Sequence, residues 1–202
     1  MHFPKQRPTI TVYMTNPDQP GAFRELASEA QVNSRIDEMA ATIIERYQGL
    51  NPLFVCFLKG AVPFTARLMS SIASQDPTFH PQVDFMTIST YGTGREAREP
   101  RIVMDLAPNV QIADRVVVML DDVLDTGTTA DHAKKHFFNL GAAAVDLAVL
   151  VQKNNERPLY PRAAFFGFES PAHEWLTGMG MDDAKQAVEA NRWMGSIVIV
   201  NH

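Results

Sequence analysis

Residues 115–140 read RVVVMLDDVLDTGTTADHAKKHFFNL, and this stretch decides the fold class of the chain. Its apolar run at 116–120 is short and rich in β-branched side chains, a pattern that predicts a strand buried on both faces. A turn at 125–129 follows, and the pattern over 128–140 is helix-like. A buried strand, a tight turn and a helix in this order are typical of the βα unit of a parallel sheet.

The turn at 125–129 has the chemistry of an anion site. Gly127 permits a tight bend, while Thr126, Thr128 and Thr129 supply hydroxyl groups at the start of the predicted helix. The first N–H groups of a helix have no partners within it, and the helix dipole favours a negative charge there. The turn is therefore predicted to bind a phosphate group.

Two carboxylates, Asp121 and Asp122, stand at the end of the predicted strand. They would repel a bare phosphate. They fit a ligand whose ribose hydroxyls donate hydrogen bonds, or one that arrives with Mg²⁺. Phosphate, sugar diol and metal together narrow the ligand to a phosphorylated sugar or a nucleotide.

Three other interpretations of these residues stay open at this point. The stretch could be a buried strand with a solvated acidic turn and a threonine-capped helix. Asp-Thr-Gly is also the catalytic tripeptide of aspartic proteases, but that chemistry needs two such loops sharing a proton, and this sequence has one, followed by a helix. A phospho-aspartate site of the dehalogenase kind would place Asp-x-Asp early in the chain, whereas this acidic cluster lies past the middle.

Residues 117–129, VVMLDDVLDTGTT, resemble the phosphoribosyl pyrophosphate signature of type I phosphoribosyltransferases. The resemblance implies that Asp125 accepts a proton near N7 of the base, as a general base. It also implies that Asp121 and Asp122 contact the ribose hydroxyls and Mg²⁺, although Asp121 is commonly Glu in the purine enzymes. The 5′-phosphate would be bound by Asp125, Thr126, Gly127, Thr128 and Thr129.

Small residues follow the second predicted strand directly, in the sequence Lys59-Gly60-Ala61. Such residues let the backbone approach an anion, while Lys59 offers a positive charge. The segment resembles the pyrophosphate loop of the same family, in which the peptide before the lysine can be cis; Ala61 stands where Gly or Ser is common. Ser89 and Tyr91 match the start of the family's flexible lid, which shields the reaction centre from water.

A purine site is implied by two further matches to the family. Lys153 corresponds to the lysine that donates to the exocyclic O6 of a 6-oxopurine, and a cationic donor favours a carbonyl over an amino group. The candidate bases are therefore hypoxanthine, guanine and xanthine, and adenine is disfavoured. In the segment FFGFESPAHEWLTGMGMDD, Trp175 would stack on the purine, Leu176 would bind it through the backbone, and Asp182 would hold a second Mg²⁺.

The chain departs from the family pattern in this segment. One residue is added between Pro171 and Trp175, and the position six residues after Asp182 is a valine where the family has a pyrophosphate-binding arginine. Arg192 is the residue predicted to serve instead.

Composition bounds the class of protein. The 202 residues suit one domain, and the net charge of −5 gives no electrostatic reason to expect nucleic-acid binding. The first ten residues lack the apolar core of a signal peptide, and no apolar stretch approaches the roughly 20 residues of a membrane span. The single Cys56 excludes an internal disulfide. We expect a cytoplasmic protein with neither a nucleic-acid nor a membrane partner.

The rest of the chain alternates between strand and helix patterns. This predicts an α/β fold with a mainly parallel central sheet and helices on both faces, in a single domain over 1–202. The polar segment 91–100 is predicted to be a mobile loop. The other elements predicted are an irregular arm at 1–22 with a short strand at 9–14, helices at 23–47, 62–74 and 183–192, and strands at 53–58, 83–90, 101–106, 145–151, 165–168 and 196–200.

Taken together, four motifs in family order imply a type I phosphoribosyltransferase, most similar to the bacterial hypoxanthine-guanine enzymes. Such an enzyme uses Mg²⁺, forms a homodimer or homotetramer, and carries a small hood built from terminal segments, here with the purine site in 155–202. The alternative is a regulatory nucleotide-binding protein on the same fold without catalysis. Such regulators usually add a DNA-binding domain or a basic face, which this chain lacks, and the chain retains Asp125.

Overall fold

A computed structural model describes residues 23–92, 94–155, 160–182 and 189–200 of the chain. The predicted arm at 1–22, with its strand at 9–14, and most of the predicted helix at 183–192 lie outside these residues. The described helices are α1 (Glu29–Tyr47), α2 (Val62–Gln75) and α3 (Thr128–Asn139), with a short 3₁₀ helix at Glu189–Trp193. The strands are β1 (Phe23–Ala27), β2 (Leu53–Phe57), β3 (Gln82–Gly92), β4 (Gly94–Met104), β5 (Val116–Leu124), β6 (Ala144–Asn154), β7 (Phe165–Pro171), β8 (Trp175–Thr177) and β9 (Ile197–Val200).

The central sheet has six strands in the order β4-β3-β2-β5-β6-β7. The pairs from β3 to β7 are all parallel, and the outer pair of β3 and β4 is antiparallel. The prediction of a mainly parallel sheet is confirmed. Because parallel strands end at the same edge, the carboxyl ends of β2, β5 and β6 lie side by side, where open α/β sheets bind their ligands.

Helices cover both faces of this sheet, as predicted. Val118 and Leu120 of β5 belong to the core cluster that contains the buried residues of α1 and α2. Val117 and Met119 point to the opposite face and pack with the buried side of α3. Strand side chains alternate between faces, so a strand covered on both sides must be apolar throughout. In the described ranges, no helix combines the length and apolarity needed to cross a membrane.

The first described helix starts later than its apolar pattern indicated. Ser28 caps α1 by accepting a hydrogen bond from the N–H of Gln31, and the Gln31 side chain accepts one from the N–H of Ser28 at 2.9 Å. The predicted helix at 23–47 is therefore wrong over its first five residues. Those residues form β1, which pairs with β9 about 170 residues away, a contact that no local pattern reveals.

The predicted mobile loop at 91–100 is also wrong. β3 and β4 form an antiparallel hairpin that extends through this segment, with Tyr91 opposite Ala97 and Gly92 opposite Gly94. A strand needs partners for its main-chain groups rather than apolar side chains, and β3 supplies these partners for β4.

A second, three-stranded antiparallel sheet in the order β1-β9-β8 forms the hood. It unites the start of the described chain with its end, as the predicted hood of terminal segments requires. The short strand β8 is absent from the predicted elements. It carries Trp175 opposite Val200 and Leu176 opposite Ile199, and so sets these two residues against the rest of the hood.

Candidate active site

The paired carboxylates lie inside β5 rather than beyond it. The strand continues past its apolar run to Leu124, with Asp121 paired to Val149 of β6. The N–H of Asp122 donates to the Asp121 carboxylate at 3.0 Å, and the N–H of Val123 donates to the Asp122 carboxylate at 2.8 Å. These bonds orient both side chains at the ligand-binding edge of the sheet.

Both carboxylates are held in an environment that disfavours a bare negative charge. Burial and the neighbouring Asp122 charge raise the pKa of Asp121 well above its usual value. Burial also raises the pKa of Asp122, and the guanidinium charge of Arg192 offsets part of that increase. Sugar hydroxyl donors or a cation would relieve this repulsion, which agrees with the ligand inferred from the sequence.

The turn that follows β5 has the glycine bend and the helix start that the sequence predicts. Gly127 adopts a left-handed conformation with φ of +82°, and α3 begins at the next residue. The hydroxyl oxygens of Thr126 and Thr128 lie 3.0 Å apart, within hydrogen-bond distance. A side chain at position 127 would collide with the main-chain carbonyl of Tyr160. Glycine is therefore required here by both conformation and space.

A second turn approaches the carboxylates from β2. The Leu58–Lys59 peptide is cis, as the family resemblance implied, and Lys59 is exposed. Gly60 lies so close to Asp122 that any side chain at position 60 would overlap its carboxylate. Ala61 is fully buried at the start of α2. This turn thus brings main chain, rather than side chains, up to the acidic pair.

A contact between main-chain atoms joins this turn to the loop that follows β8. Gly180 has a φ of +105°, and a side chain there would overlap the carbonyl of Gly60 and contact Pro63. Two glycines on separate loops, Gly60 and Gly180, therefore pack backbone against backbone beside Asp122.

A pocket of about 140 Å³ opens beside these turns. It brings together six residues predicted from the sequence, namely Asp122, Asp125, Lys153, Trp175, Leu176 and Asp182. Two lining residues, Val123 and Met181, were missed. Val123 follows the acidic pair and Met181 precedes Asp182, so their positions next to site residues were the only available signal.

Lys153 and Asp125 meet in this pocket. The Lys153 ammonium lies 3.6 Å from Oδ2 of Asp125 and 3.4 Å from the main-chain oxygen of Ala172. Lys153 is only 9% exposed, although an isolated lysine at a strand end is usually solvated. The pocket therefore contains a largely desolvated cation next to a carboxylate.

Trp175 supplies the aromatic wall of the pocket, and its ring is hydrogen-bonded to Asp182. The indole N–H of Trp175 donates to the main-chain oxygen of Asp182 at 3.2 Å. This bond fixes the ring in the wall of the pocket.

Arg192 contacts the segment that contributes Met181 and Asp182 to the pocket wall. It is 4% exposed, donates to the carbonyl of Gly180, and lies 2.8 Å from the carboxylate of Asp182. These contacts place it at the hood side of the acidic pair. Ser89 and Tyr91 lie in β3, and the side chain of Tyr91 is outside the described part of the structure.

The described residues contain no group of three or more His, Cys, Asp or Glu side chains able to hold a metal ion. Mg²⁺ does not require one, because it usually binds through one or two carboxylates, several waters and the phosphates of its substrate. The Asp121 and Asp122 pair fits this donor set. Asp182 lines the same pocket as Asp122 and is engaged by Arg192.

A mainly parallel sheet with acidic strand-end residues, a glycine-threonine turn and a hooded pocket defines the phosphoribosyltransferase class. A family model described as "Phosphoribosyl transferase domain" matches residues 24–184, and the chain belongs to this family. The aspartic protease and phospho-aspartate interpretations are thereby excluded.

Three individual proteins of this family show which of its members the chain is similar to. The chain is 33% identical over 158 residues to the hypoxanthine-guanine phosphoribosyltransferase of Streptococcus thermophilus, covering 78% of this chain and 83% of the relative. It is 30% identical over 162 residues to the enzyme of the same name from Bacillus subtilis, covering 80% and 86%. The crystal structure of a hypoxanthine phosphoribosyltransferase from Staphylococcus aureus superposes with a TM-score of 0.76 at 26% identity, covering 88% of this chain and 91% of that one.

Proposed function

We propose that the protein is a purine-salvage enzyme that transfers a 5-phosphoribosyl group to a 6-oxopurine, hypoxanthine or guanine, and releases pyrophosphate. The observation that carries the proposal is the pocket itself. It sets a buried lysine, an aspartate and an aromatic ring beside the acidic pair and the glycine-threonine turn. The similarity to hypoxanthine-guanine phosphoribosyltransferases over most of the chain supports the same substrates.

The reaction breaks the bond between the anomeric carbon of the ribose and the pyrophosphate as N9 of the base attacks. Positive charge develops on the ribose and negative charge on the pyrophosphate. Asp121 and Asp122 would accept hydrogen bonds from the ribose hydroxyls, and the turn at 125–129 would hold the 5′-phosphate through N–H and hydroxyl donors. Mg²⁺, when bound with the pyrophosphate, would neutralise its growing charge.

Two residues are proposed to handle the base. Lys153 donates to O6 of the purine, which selects a carbonyl over an amino group at that position. Asp125 accepts the proton from N7 as N9 attacks, which requires its carboxylate to lie within hydrogen-bond reach of the base. The 3.6 Å separation of the two side chains supports their action on O6 and N7, which are neighbouring atoms on one edge of the purine ring.

The remaining assignments are part of the same proposal. Trp175 stacks on the purine, Leu176 binds it through the main chain, and Lys59, Gly60, Ala61, Ser89, Tyr91 and Arg192 serve the phosphoribosyl pyrophosphate. Asp182 is proposed as a second Mg²⁺ ligand. We also propose a single domain over 1–202, a homodimer or homotetramer, and a cytoplasmic location, as the sequence predicts.

The direct test is turnover. The protein is incubated with Mg²⁺, phosphoribosyl pyrophosphate and either hypoxanthine, guanine, xanthine or adenine, and nucleotide formation is followed by absorbance and chromatography. We expect nucleoside monophosphate from hypoxanthine or guanine and much slower turnover of adenine. Absence of turnover with every oxopurine would refute the proposal and favour the non-catalytic alternative.

A further inference from the structure

Asp125 is held at two points, by Lys153 of β6 and by Asn155, the residue that follows β6. The register of β5 on β6 pairs Leu124 with Gln152, so Asp125 stands level with Lys153 one residue further along. Lys153 reaches the Asp125 carboxylate, and the side-chain amide of Asn155 donates to the main-chain oxygen of Asp125. Residues 153 and 155 are two apart, and alternate residues of an extended chain point to the same side.

The anchor at Asn155 matters because Asp125 has left the strand ladder. The last paired residue of β5 is Leu124, and the next contacts along the chain are local ones within the turn, between Thr126 and Thr128. The Asn155 bond spans 30 residues and connects the turn to the strand that carries Lys153. It thereby relates the position of the aspartate to that of the lysine.

We infer that Asn155 is a positioning residue for the phosphoribosyl transfer, holding the main chain of Asp125 so that its carboxylate reaches the base bound at Lys153. This inference rests on the proposed function. A general base must lie within hydrogen-bond distance of the proton it takes, and small displacements of a catalytic group lower the rate steeply. Asn155 itself touches neither reactant in this role.

The preceding residue provides a matched control. Asn154 is an exposed asparagine of the same strand end, and its amide approaches the Glu169 carboxylate at 3.5 Å, away from the turn. The variants Asn155→Leu and Asn154→Leu remove the same amide from adjacent positions while keeping a branched side chain of similar size. Asn155→Gln keeps an amide donor at position 155.

The experiment measures kcat and both KM values with hypoxanthine and phosphoribosyl pyrophosphate, together with hydrogen exchange of the amides at 126–129. For Asn155→Leu we expect kcat to fall roughly threefold to tenfold, the rate factor matching the net worth of one hydrogen bond, with little change in either KM. Exchange at 126–129 should become faster. Asn154→Leu should match the wild type, and Asn155→Gln should recover part of the lost kcat.

Three kinetic results would overturn the inference: an unchanged kcat in Asn155→Leu, an equal loss of kcat in Asn154→Leu, or no recovery of kcat in Asn155→Gln. If the loss of activity in Asn155→Leu disappears after correction for the folded fraction, the result is equivalent to an unchanged kcat. If the wild type itself shows no turnover, the proposed function fails, and unchanged exchange at 126–129 in Asn155→Leu would separately refute the anchoring role.

Discussion

The two sides of the pocket are assembled in different ways. The side proposed to bind the ribose phosphate, here called the ribose-phosphate side, comprises residues 121–129, one continuous stretch that runs from β5 through a turn into α3. The side proposed to bind the base, here called the purine side, draws Lys153 from the end of β6, Trp175 from β8 and Asp182 from the segment after it, and it depends on the hood to bring them together. The first side is fixed by local geometry and the second by tertiary packing.

The difference implies that substitutions on the two sides should affect different substrates. A change in the continuous stretch should alter the affinity for phosphoribosyl pyrophosphate, and a change on the assembled side should alter the affinity for the base. Asp125 lies where the two sides meet, so its loss should affect the chemical step itself.

Asp125→Asn is expected to have the largest effect. Removing the proton acceptor should lower kcat by roughly 10²- to 10⁴-fold with a modest change in KM, because the general base acts mainly in the transition state. Steady-state kinetics with hypoxanthine measure this fall in kcat. Asp131→Asn is the matched control, since Asp131 is on α3 and pairs with Lys135 on the surface. An unchanged kcat in Asp125→Asn would remove Asp125 from this role.

Lys153→Gln should affect the purine side alone. Loss of a charged hydrogen-bond donor should lower kcat/KM for hypoxanthine by roughly 10- to 100-fold and narrow the discrimination against adenine. The KM for phosphoribosyl pyrophosphate should stay near the wild-type value. Lys135→Gln, an exposed lysine on α3, serves as the control. If the KM for phosphoribosyl pyrophosphate rose by the same factor as that for the base, the two sides would not be separable.

Gly127→Ala should affect the ribose-phosphate side alone. The control is Gly49→Ala, because Gly49 has a φ of +75° but open space around it, whereas a side chain at Gly127 meets the Tyr160 carbonyl. Both changes carry the conformational cost of about 1 kcal/mol, and only Gly127→Ala adds a steric clash. We expect the greater loss of unfolding free energy in urea titrations, and a KM for phosphoribosyl pyrophosphate raised roughly tenfold, in Gly127→Ala. Equal stability losses would contradict the clash.

Ionisation of the Cys56 thiol should have the smallest effect on function, because this residue is fully buried in β2. Burial raises the pKa of its thiol to about 11, and the charges of Asp121 and Asp122 act in the same direction. The unfolded thiol has a pKa of about 8.5. Its contribution to stability is therefore complete below about pH 8.5 and is lost as the pH rises through 11.

Alkylation with iodoacetamide measures this directly. At pH 8.5 the native thiol should react far more slowly than the thiol in urea, and the native rate should increase toward pH 11. Equal native and unfolded rates at pH 8.5 would show that the thiol is neither buried nor shifted.

The sequence predicted the continuous side of the site well because its determinants are local. A β-branched run, a glycine-threonine turn and a helical period define the β5–α3 unit without reference to the rest of the chain. The strand nevertheless runs on through Asp121 and Asp122, because pairing with β6 continues beyond the apolar residues. Charge alone was a poor marker of where β5 ends.

The sequence-based predictions failed where a segment pairs with residues far away along the chain, or where only main-chain groups pair. The apolar pattern of residues 23–27 favours helix, because the pairing of β1 with β9 forms only in the folded hood. The polar segment of β4 favours a loop, because main-chain pairing leaves no apolar signature in the sequence. Asn155 was missed for the same reason, since its partner is a carbonyl oxygen 30 residues earlier. The family resemblance indicates Lys153, Trp175 and Asp182, but only the tertiary structure shows that they converge on one pocket.

The contact between Gly60 and Gly180 has a practical consequence for protein engineering. One way to change the base specificity of this enzyme would be to replace the segment around position 180 with that of a relative. Because the two loops touch main chain to main chain, a donor segment without glycine at position 180 would push the Lys59–Gly60 turn into the acidic pair. Chimeras should therefore exchange both loops together.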